Sequence, residues 1–270
     1  MVSLAPSATE IVCALRCGDR LVARTAFCDY PPEVTELPSV GGWTTVEVES
    51  VVAREPDLVL TSTFLQDGIV AALRACGTRV CHTDPKTLGD VLSSFETIAV
   101  ALGVPDHGRA LHQRVESGLS ALPRAPRAEA TAPRVYAEEW PRPAMASGNW
   151  VPDLIAAAGG RSLLRSGERS RAVTLDEVRA FDPDVVILNY CGMRAVPVKQ
   201  QRQQLAARPG WDELRVVRAG RVFVLDDSLL NRPGPRLAEG AQRLQRVLVR
   251  ASARSSRSLQ PPFTAFRTTE

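Results

Sequence analysis

The feature that most constrains this sequence is a short segment that occurs twice, 127 residues apart. Both copies contain an acidic residue, a valine, a Pro-Asp pair and an apolar run at the same spacing: Glu49, Val51, Pro56-Asp57 and residues 58–60 in the first copy, and Asp176, Val178, Pro183-Asp184 and residues 185–187 in the second. A short apolar run that follows a helical stretch is typical of a strand buried in a parallel sheet. The repeat therefore predicts two related halves, each built around an αβ unit.

Strands and helices alternate along most of the chain. Apolar runs predict strands at residues 2–4, 21–24, 57–61, 79–82, 134–138, 184–188 and 221–225. Helical patterns lie at residues 7–16, 46–54, 68–76, 87–102, 106–122, 152–158, 174–181 and 233–250. Ser7 is the predicted N-cap of the first helix, with Glu10 as its capping-box partner. Such alternation predicts an α/β fold with parallel sheets and right-handed crossovers.

A stretch rich in Pro, Ala and Arg at residues 123–133 separates the two alternating series. We expect an N-terminal α/β lobe at residues 1–104, a bridging helix at 105–122 and a C-terminal α/β lobe at 123–250. Residues 251–270 are rich in Ser, Arg and Thr, which predicts a disordered tail.

Several classes of protein are not expected from this composition. The 33 basic and 30 acidic side chains nearly balance, which does not favour a nucleic-acid binder. The sequence has no Gly-x-Ser-x-Gly elbow, phosphate loop or Gly-x-Gly-x-x-Gly motif, and His107 and His112 are five residues apart, which does not match a helical metal pair. We therefore expect neither an enzyme nor an intrinsic cofactor.

The sequence also lacks the usual signals for membrane insertion and export. No apolar run approaches the roughly 20 residues of a membrane-spanning helix. The first ten residues lack the basic and apolar regions of a signal peptide, and the six cysteines contain no Cys-x-x-Cys pair. These features predict a cytoplasmic protein. A start upstream of Met1 would instead make it periplasmic, or membrane-anchored and extracellular.

Aromatic and polar side chains are concentrated in segments predicted to be loops. Aromatic residues make up only 5% of the chain, so their presence in loops indicates a binding surface for a large, flat, partly apolar ligand. In open α/β sheets, ligands bind beyond the carboxyl ends of the strands, where several of these segments would lie. The candidate ligand-binding residues are Tyr30, Trp43, Phe64, Trp140, Asn149, Trp150, Asn189, Ser228 and Arg232.

Five segments resemble the cobalamin-binding proteins of ABC importers. They are Val2-Ser-Leu-Ala-Pro-Ser-Ala-Thr-Glu10-Ile11, Cys28-Asp29-Tyr30-Pro31-Pro32-Glu33, Val40-Gly41-Gly42-Trp43, Pro56-Asp57-Leu58-Val59-Leu60 and Arg232-Pro233-Gly234-Pro235-Arg236. The resemblance spans about residues 2–248, and Pro-Asp-Leu-Val alone also occurs in related siderophore and haem binders. It implies a class III solute-binding protein fold. In that fold, two Rossmann-like lobes with parallel sheets are bridged by one long helix and hold a corrinoid in the cleft between them.

The resemblance also implies roles for the candidate residues. Tyr30 and Trp43 match aromatic positions of the family motif, and Arg232 matches a basic position. The expected ring contacts come from Tyr30, Trp43, Phe64 and Trp140, and the expected hydrogen bonds come from Asn149, Asn189, Ser228 and Arg232. Trp150 is a further aromatic candidate in the second half.

Family members dock onto permease arginines through one acidic residue on each lobe. The nearest positions in this sequence are Asp67 and Asp176. His82, at a predicted strand end, is a candidate axial ligand for cobalt, although a half-buried hydrogen-bonded histidine is the simpler interpretation.

The resulting hypothesis is non-catalytic binding of cobalamin or a related corrinoid by a monomer, with an ABC permease as partner. One alternative keeps the fold but binds a ferric siderophore or haem, for which cleft cations would be Arg142, Arg169, Arg171 and Arg194. A second alternative is a cytosolic corrinoid-handling enzyme, for which Cys28 or Cys191 would be the reactive group.

Overall fold

The computed structural model describes residues 1–123 and 131–257, which form two sheets and the helices that cover them. The strands are β1 (Val2–Ser3), β2 (Ala23–Arg24), β3 (Val59–Ser62), β4 (Val80–Thr83), β5 (Arg134–Pro141), β6 (Ala144–Ala146), β7 (Arg161–Ser162), β8 (Arg171–Ala172), β9 (Val185–Leu188) and β10 (Val222–Val224). The helices are α1 (Pro6–Ala14), α2 (Val48–Val52), α3 (Asp67–Ala75), α4 (Leu88–Ala101), α5 (Pro105–Ser120), α6 (Val151–Ala157), α7 (Leu175–Phe181), α8 (Val198–Ala206), α9 (Arg215–Arg218) and α10 (Leu237–Arg257).

The two sheets contain the same arrangement of parallel strands. The first sheet has the order β2-β1-β3-β4, and all its neighbouring strands are parallel. In the second sheet, β7, β5, β9 and β10 pair in the same way and are also parallel. β3 and β9 are the strands that end the two copies of the repeated segment. The predicted repeat is therefore present in the sheet topology, and the α/β fold is confirmed.

The second sheet is mixed because two short strands are added to it. β6 pairs antiparallel with the end of β5, and β8 pairs antiparallel with β6. Sequence patterns did not predict these strands, since pairs or triplets of residues are too short to display a strand periodicity. They extend the sheet beside the carboxyl end of β5, whereas β7 pairs with its amino end.

The predicted bridging helix is present as α5, but it pairs closely with the helix before it. Gly108 of α5 lies so close to α4 that a Cβ atom there would be 2.5 Å from the Cβ of Ala99. His112 and Glu96 form a hydrogen bond of 2.7 Å between the same two helices. The connection between the halves is thus a helical hairpin, and residue 108 must be glycine for the two helices to approach this closely.

One hydrophobic core cluster extends through both halves. It includes Ile11 and Phe95 from the first half, Leu111 of α5, and Ile155 and Leu244 from the second half. Because this core crosses the predicted boundaries, we keep the division into residues 1–104, 105–122 and 123–250 as a proposal. The continuous core predicts that the halves resist hinge motion.

The predicted cap of the first helix is wrong. α1 begins at Pro6, its N-cap is Ala5, and Ser7 lies within the first turn. Glu10 does not complete a capping box, because its carboxylate binds two arginines from the other end of the chain.

The last helix extends past its predicted end at Arg250, because α10 continues to Arg257. Residues 251–257 are therefore helical rather than disordered, and residues 258–270 of the predicted tail lie outside the described residues. Within the described ranges, none of the helices has the length and apolar character needed to cross a membrane.

Candidate functional site

The two halves face each other at the carboxyl ends of their parallel strands. Asp29, Tyr30 and Phe64 border this space on the first half, and Arg169 and Arg232 border it on the second. We call the space between these residues the cleft. Its position agrees with the general rule that open α/β sheets bind ligands beyond the carboxyl ends of their strands.

A buried carboxylate joins the halves at one end of the cleft. Glu10 is only 3% exposed and accepts hydrogen bonds of 2.6 and 2.8 Å from Arg236 and of 3.1 Å from Arg232. Arg232 also donates to Asp29 at 2.6 Å. The guanidinium of Arg236 lies 4.0 Å from the centre of the Tyr30 ring. Tyr30 and Arg232 thus belong to one cluster of side chains at this end of the cleft, and the charge of Arg232 is already balanced by protein carboxylates.

Two further arginines that could receive an anionic ligand, Arg194 and Arg171, are also paired with carboxylates. Arg194 pairs with Asp29 at 3.3 Å and with Asp226 at 3.1 Å. Burial would raise the pKa of Asp29, but the hydrogen bonds from Arg232 and Arg194 lower it below its ordinary value. Arg171 is paired in the same manner, with Glu168 and Glu177. The positive charges of Arg194 and Arg171 are therefore balanced by carboxylates of the protein.

At the other end of the cleft, Phe64 receives two cations on its ring. The guanidinium of Arg169 lies 4.1 Å from the ring centre and the ammonium of Lys86 lies 5.3 Å from it. Lys86 also pairs with Asp84. Arg169 comes from the second half, so this contact crosses the cleft. Phe64 thus faces the second half, and a ligand that stacks on its ring would have to displace a cation.

Trp43 is partly buried between the cleft and the core. Its ring packs against the main hydrophobic cluster, and its carbonyl accepts a hydrogen bond of 2.8 Å from Gln66. Gln66 is fully buried and also donates to the carbonyl of Leu4. This glutamine was not among the predicted site residues, although a lone amide inside an apolar helical pattern indicates a buried hydrogen-bonding role.

Trp140 and Asn149 lie in the added antiparallel region of the second half. Trp140 is 45% exposed, and its indole N–H donates to the carbonyl of Arg142 at 3.0 Å. Asn149 has a left-handed backbone with φ of 53°, which asparagine tolerates well, and its side-chain amide reaches the hydroxyl of Ser170 at 3.5 Å. An exposed ring at Trp140 remains available for contact with a ligand.

Three predicted contact residues are buried and bonded within the protein. Trp150 donates to the carbonyl of Leu230 at 2.7 Å, Asn189 donates to Ser147 at 3.0 Å, and Ser228 donates to Asp226 at 2.7 Å. None of the three is more than 5% exposed. Their segments were expected to be open loops, but their polar atoms find partners inside the second half. They hold the loops in place and are not exposed to a ligand here.

Both ring nitrogens of His82 lie close to polar side chains of the first half. Its Nδ1 lies 2.8 Å from the hydroxyl of Thr61, and its Nε2 lies 3.5 Å from the Asp67 carboxylate. Burial lowers the pKa of His82, although Asp67 opposes the shift. Among the described residues, no group of three or more His, Cys, Asp or Glu side chains could hold a metal ion.

The two cysteines of the enzyme alternative are not activated. Burial raises the pKa of Cys28 and raises the pKa of Cys191 to about 12. A reactive thiol needs the opposite shift, since the thiolate is the nucleophile. The geometry therefore gives that alternative no nucleophile at either cysteine.

A buried network that the sequence patterns did not predict supports the second half of the cleft. Glu138 is fully buried and accepts hydrogen bonds from Arg208 at 2.6 and 2.9 Å and from the hydroxyls of Tyr136 and Tyr190 at 2.5 Å each. Burial raises the pKa of both tyrosines, so their hydroxyls stay protonated and donate. An acid inside an apolar strand was the available signal, because a buried carboxylate needs a partner.

The next residue, Glu139, makes stability depend on pH. Burial raises the pKa of its carboxyl group from 4.5 to about 7, although hydrogen bonds from Ser170 and Ser147 oppose the shift. Between these two values the folded state holds a proton that the unfolded state has lost, so stability falls as pH rises and is constant above about 7. We expect a loss of about 3 kcal/mol over this interval.

Urea unfolding at pH 5 to 8 measures this dependence. The matched variant is Glu139→Gln, which carries an amide that does not titrate. We expect the variant to lack the part of the slope that belongs to residue 139. If the free energy of unfolding depended on pH in the same way in both proteins, the carboxyl group of Glu139 would not titrate between pH 5 and 8.

The two acids proposed for permease docking are both exposed. Asp67 begins α3 and is 69% exposed, and Asp176 lies in the first turn of α7 and is 90% exposed. In the repeated segment, however, the residue at the position equivalent to Asp176 is Glu49, which is exposed in the first turn of α2. α2 precedes β3 as α7 precedes β9. Glu49 is therefore the structural counterpart of Asp176, and Asp67 is not.

Comparison with known proteins establishes the family. Residues 1–229 match the family model described as periplasmic binding protein. The chain belongs to the periplasmic binding protein family. The expected resemblance to solute-binding proteins of ABC importers is thereby confirmed.

Three similar proteins illustrate the range of this periplasmic binding protein family. The vitamin B12-binding protein of Vibrio cholerae is 27% identical over 248 residues, covering 90% of this chain and 87% of the relative. An uncharacterized ABC transporter substrate-binding lipoprotein, YvrC of Bacillus subtilis, is 28% identical over 253 residues, covering 90% and 78%. The structure of the periplasmic heme-binding protein BhuT in complex with two hemes is 28% identical, with a TM-score of 0.76 and coverage of 93% and 97%.

The expectation of a cytoplasmic protein is wrong. The family is one of periplasmic binding proteins, and the similar protein of Bacillus subtilis is a lipoprotein. The absence of an apparent export signal at the first residues was a poor guide to the compartment of this periplasmic binding protein.

Proposed function

We propose that this protein binds cobalamin or a related corrinoid in the cleft and delivers it to an ABC permease, without catalysing a reaction. The observation that carries the proposal is the charge balance of the cleft. Arg194, Arg232 and Arg236 are each paired with carboxylates of the protein. A corrinoid carries many neutral amides and little net charge, so it suits a cleft in which these three arginines are already paired. A ligand with several carboxylates would have to break these pairs.

Aromatic surface on both halves supports the same ligand class. Tyr30 and Phe64 are 40% and 36% exposed on the first half, and Trp140 is 45% exposed on the second. Partly exposed rings on facing surfaces suit a large, flat ligand, because they exclude water from both of its faces. The similar protein of Vibrio cholerae that is named as vitamin B12-binding agrees with this proposal.

Haem is the second candidate, and Arg169 is the observation that favours it. In the described part of the chain, Arg169 makes no ion pair with a carboxylate and rests on the Phe64 ring. It could therefore receive one propionate of a haem. BhuT, which is 28% identical, was solved with two hemes.

Isothermal titration of the purified protein with cyanocobalamin tests the proposal, with haemin and a ferric siderophore as competing ligands. We expect one-to-one binding of cyanocobalamin that is tighter than binding of the other two. Affinity should change little with salt, because no net ion pair forms. Tighter binding of haemin or of the siderophore would contradict cobalamin as the ligand. The role of a ligand-binding protein would still stand.

For permease docking we propose Glu49 and Asp176 as the two acids, with Asp67 as the original candidate for the first half. The double variant Glu49→Gln/Asp176→Asn should lower cyanocobalamin uptake about tenfold in cells that express it with its permease, because exposed charges steer and orient association. Binding of cyanocobalamin by the purified variant should be unchanged. Asp106→Asn is the matched control, since Asp106 is 85% exposed on α5. Loss of uptake in Asp67→Asn but not in Glu49→Gln would restore the original assignment.

A further inference from the structure

Thr63 has a backbone conformation that threonine normally avoids. Its φ is 70° and its ψ is 151°, a region occupied almost only by glycine. The conformation is held from both sides, because the Thr63 N–H donates to the carbonyl of Thr83 at 2.8 Å and the Thr63 carbonyl accepts from Gln66 at 3.0 Å. A β-branched side chain at this position costs free energy that glycine would not. The side chain of Thr63 therefore needs a reason to be present.

The hydroxyl of Thr63 has no hydrogen-bond partner among the residues that the structure describes. Of the side-chain nitrogen and oxygen atoms in the described residues, only Thr63 Oγ1 and Trp43 Nε1 are buried without a hydrogen-bond partner. A buried polar group without a partner lowers stability, and native proteins contain few of them. Thr63 thus combines a strained backbone with an unsatisfied hydroxyl, and neither contributes to folding.

The two unsatisfied groups belong to one region of the first half. The side chain of Gln66 donates to the carbonyl of Trp43 at 2.8 Å and accepts from the N–H of Ser62, the residue before Thr63, also at 2.8 Å. One buried amide therefore fixes both backbones. Thr63 directly follows β3 and directly precedes Phe64, whose ring contacts the second half across the cleft.

We propose that Thr63 is a ligand-binding residue whose hydroxyl, together with the indole N–H of Trp43, donates hydrogen bonds to a carboxamide or carboxylate oxygen of the bound ligand. The indole N–H can only donate and the hydroxyl can also donate, so an acceptor oxygen on the periphery of the ligand would satisfy both groups. The strain is retained because the threonine side chain completes the binding site. This inference rests on the proposed function only in assuming a ligand in the cleft, and both corrinoids and haem carry suitable oxygens.

The substitution Thr63→Gly tests the inference because it should change stability and affinity in opposite directions. Glycine removes the strain and the unsatisfied hydroxyl, so we expect Tm to rise by about 2–4 °C. It also removes one hydrogen bond to the ligand, so the dissociation constant should rise about fivefold. The ligand in the titration is whichever of cyanocobalamin and haemin the wild-type protein binds more tightly.

Three further variants separate the hydroxyl from the backbone. Thr63→Val keeps the branched shape but lacks the hydroxyl, so it should lose affinity for the ligand as Thr63→Gly does. Thr63→Ser keeps the hydroxyl and should keep the wild-type affinity. Glu55→Gly is the matched control for strain, because Glu55 is an exposed residue with φ of 45°. It should raise Tm without changing affinity.

Each outcome bears on the inference. Wild-type affinity in both Thr63→Gly and Thr63→Val would overturn it. Lost affinity in Thr63→Gly alone would also overturn it, since the backbone rather than the hydroxyl would then matter. The wild type could bind haemin instead of cyanocobalamin while the Thr63 variants change in affinity for haemin as expected. The inference about Thr63 would then hold, and cobalamin as the ligand would be contradicted. A wild type that binds neither ligand overturns both.

Discussion

Replacement of Arg208 by methionine is expected to lower the free energy of unfolding by about 3–5 kcal/mol. Arg208 makes two short hydrogen bonds to the carboxylate of Glu138, which is fully buried. Methionine would keep much of the volume and remove the charge, so Glu138 would be left as a buried carboxylate without its counter-ion. Urea unfolding followed by circular dichroism measures the loss, and two-state behaviour can be checked with tryptophan fluorescence.

The matched control is Arg179→Met. Arg179 pairs with Asp176 at 3.0 Å, but the Asp176 side chain is 90% exposed, and such pairs contribute about 0–1 kcal/mol. The difference between the two variants isolates burial as the cause of the effect. Similar losses in both would contradict the assignment of Glu138 as a carboxylate that depends on Arg208.

The second large effect is expected in the cleft, where Trp43→Ala should weaken binding of cyanocobalamin at least about thirtyfold. Tryptophan side chains at the centre of a binding surface typically contribute 2 kcal/mol or more, which corresponds to about this factor. Isothermal titration of the wild-type and variant proteins measures the change. Because the Trp43 ring also packs on the core, a melting curve must establish that the variant is folded at the titration temperature.

Trp43→Phe serves as the graded control. Phenylalanine keeps an apolar ring but lacks the indole N–H, so its loss of affinity should be smaller than that of alanine. If the Trp43→Ala variant is folded and binds cyanocobalamin with wild-type affinity, Trp43 does not contribute to the binding site. A main residue that the family motif assigned to ligand contact would then be lost.

The architecture was predictable because its determinants are local. The repeated acid, valine and Pro-Asp spacing marks two αβ units, and the structure gives both units the same parallel strand order. Apolar runs such as residues 185–187 have the length and composition of buried parallel strands. β6 and β8 were missed because their few residues have no pattern of their own. They exist because β5 extends past the parallel part of the sheet and offers an edge.

The candidate site was predictable only in part. Tyr30 and Phe64 lie exposed where loop positions suggested, and Trp140 is exposed although it lies near the end of β5, whereas Trp150 and Asn189 are buried. Sequence position distinguishes loops from strands but does not reveal whether a loop side chain has an internal partner. Such partners can be far away in sequence, and the hydrogen bond from Trp150 spans 80 positions.

The ion pairs of Glu10 also bear on the order in which the molecule is assembled. Its two arginine partners follow 222 and 226 positions later, close to the start of the last helix. Contacts between such distant positions form late in folding, because the chain must first close a very long loop. A nascent chain that ends before Arg232 already contains all ten strands described above but lacks both arginines that neutralise Glu10. Closure of the two halves on this carboxylate is therefore delayed until synthesis is almost finished, and a molecule truncated before Arg232 would contain a Glu10 carboxylate without either of its counter-ions.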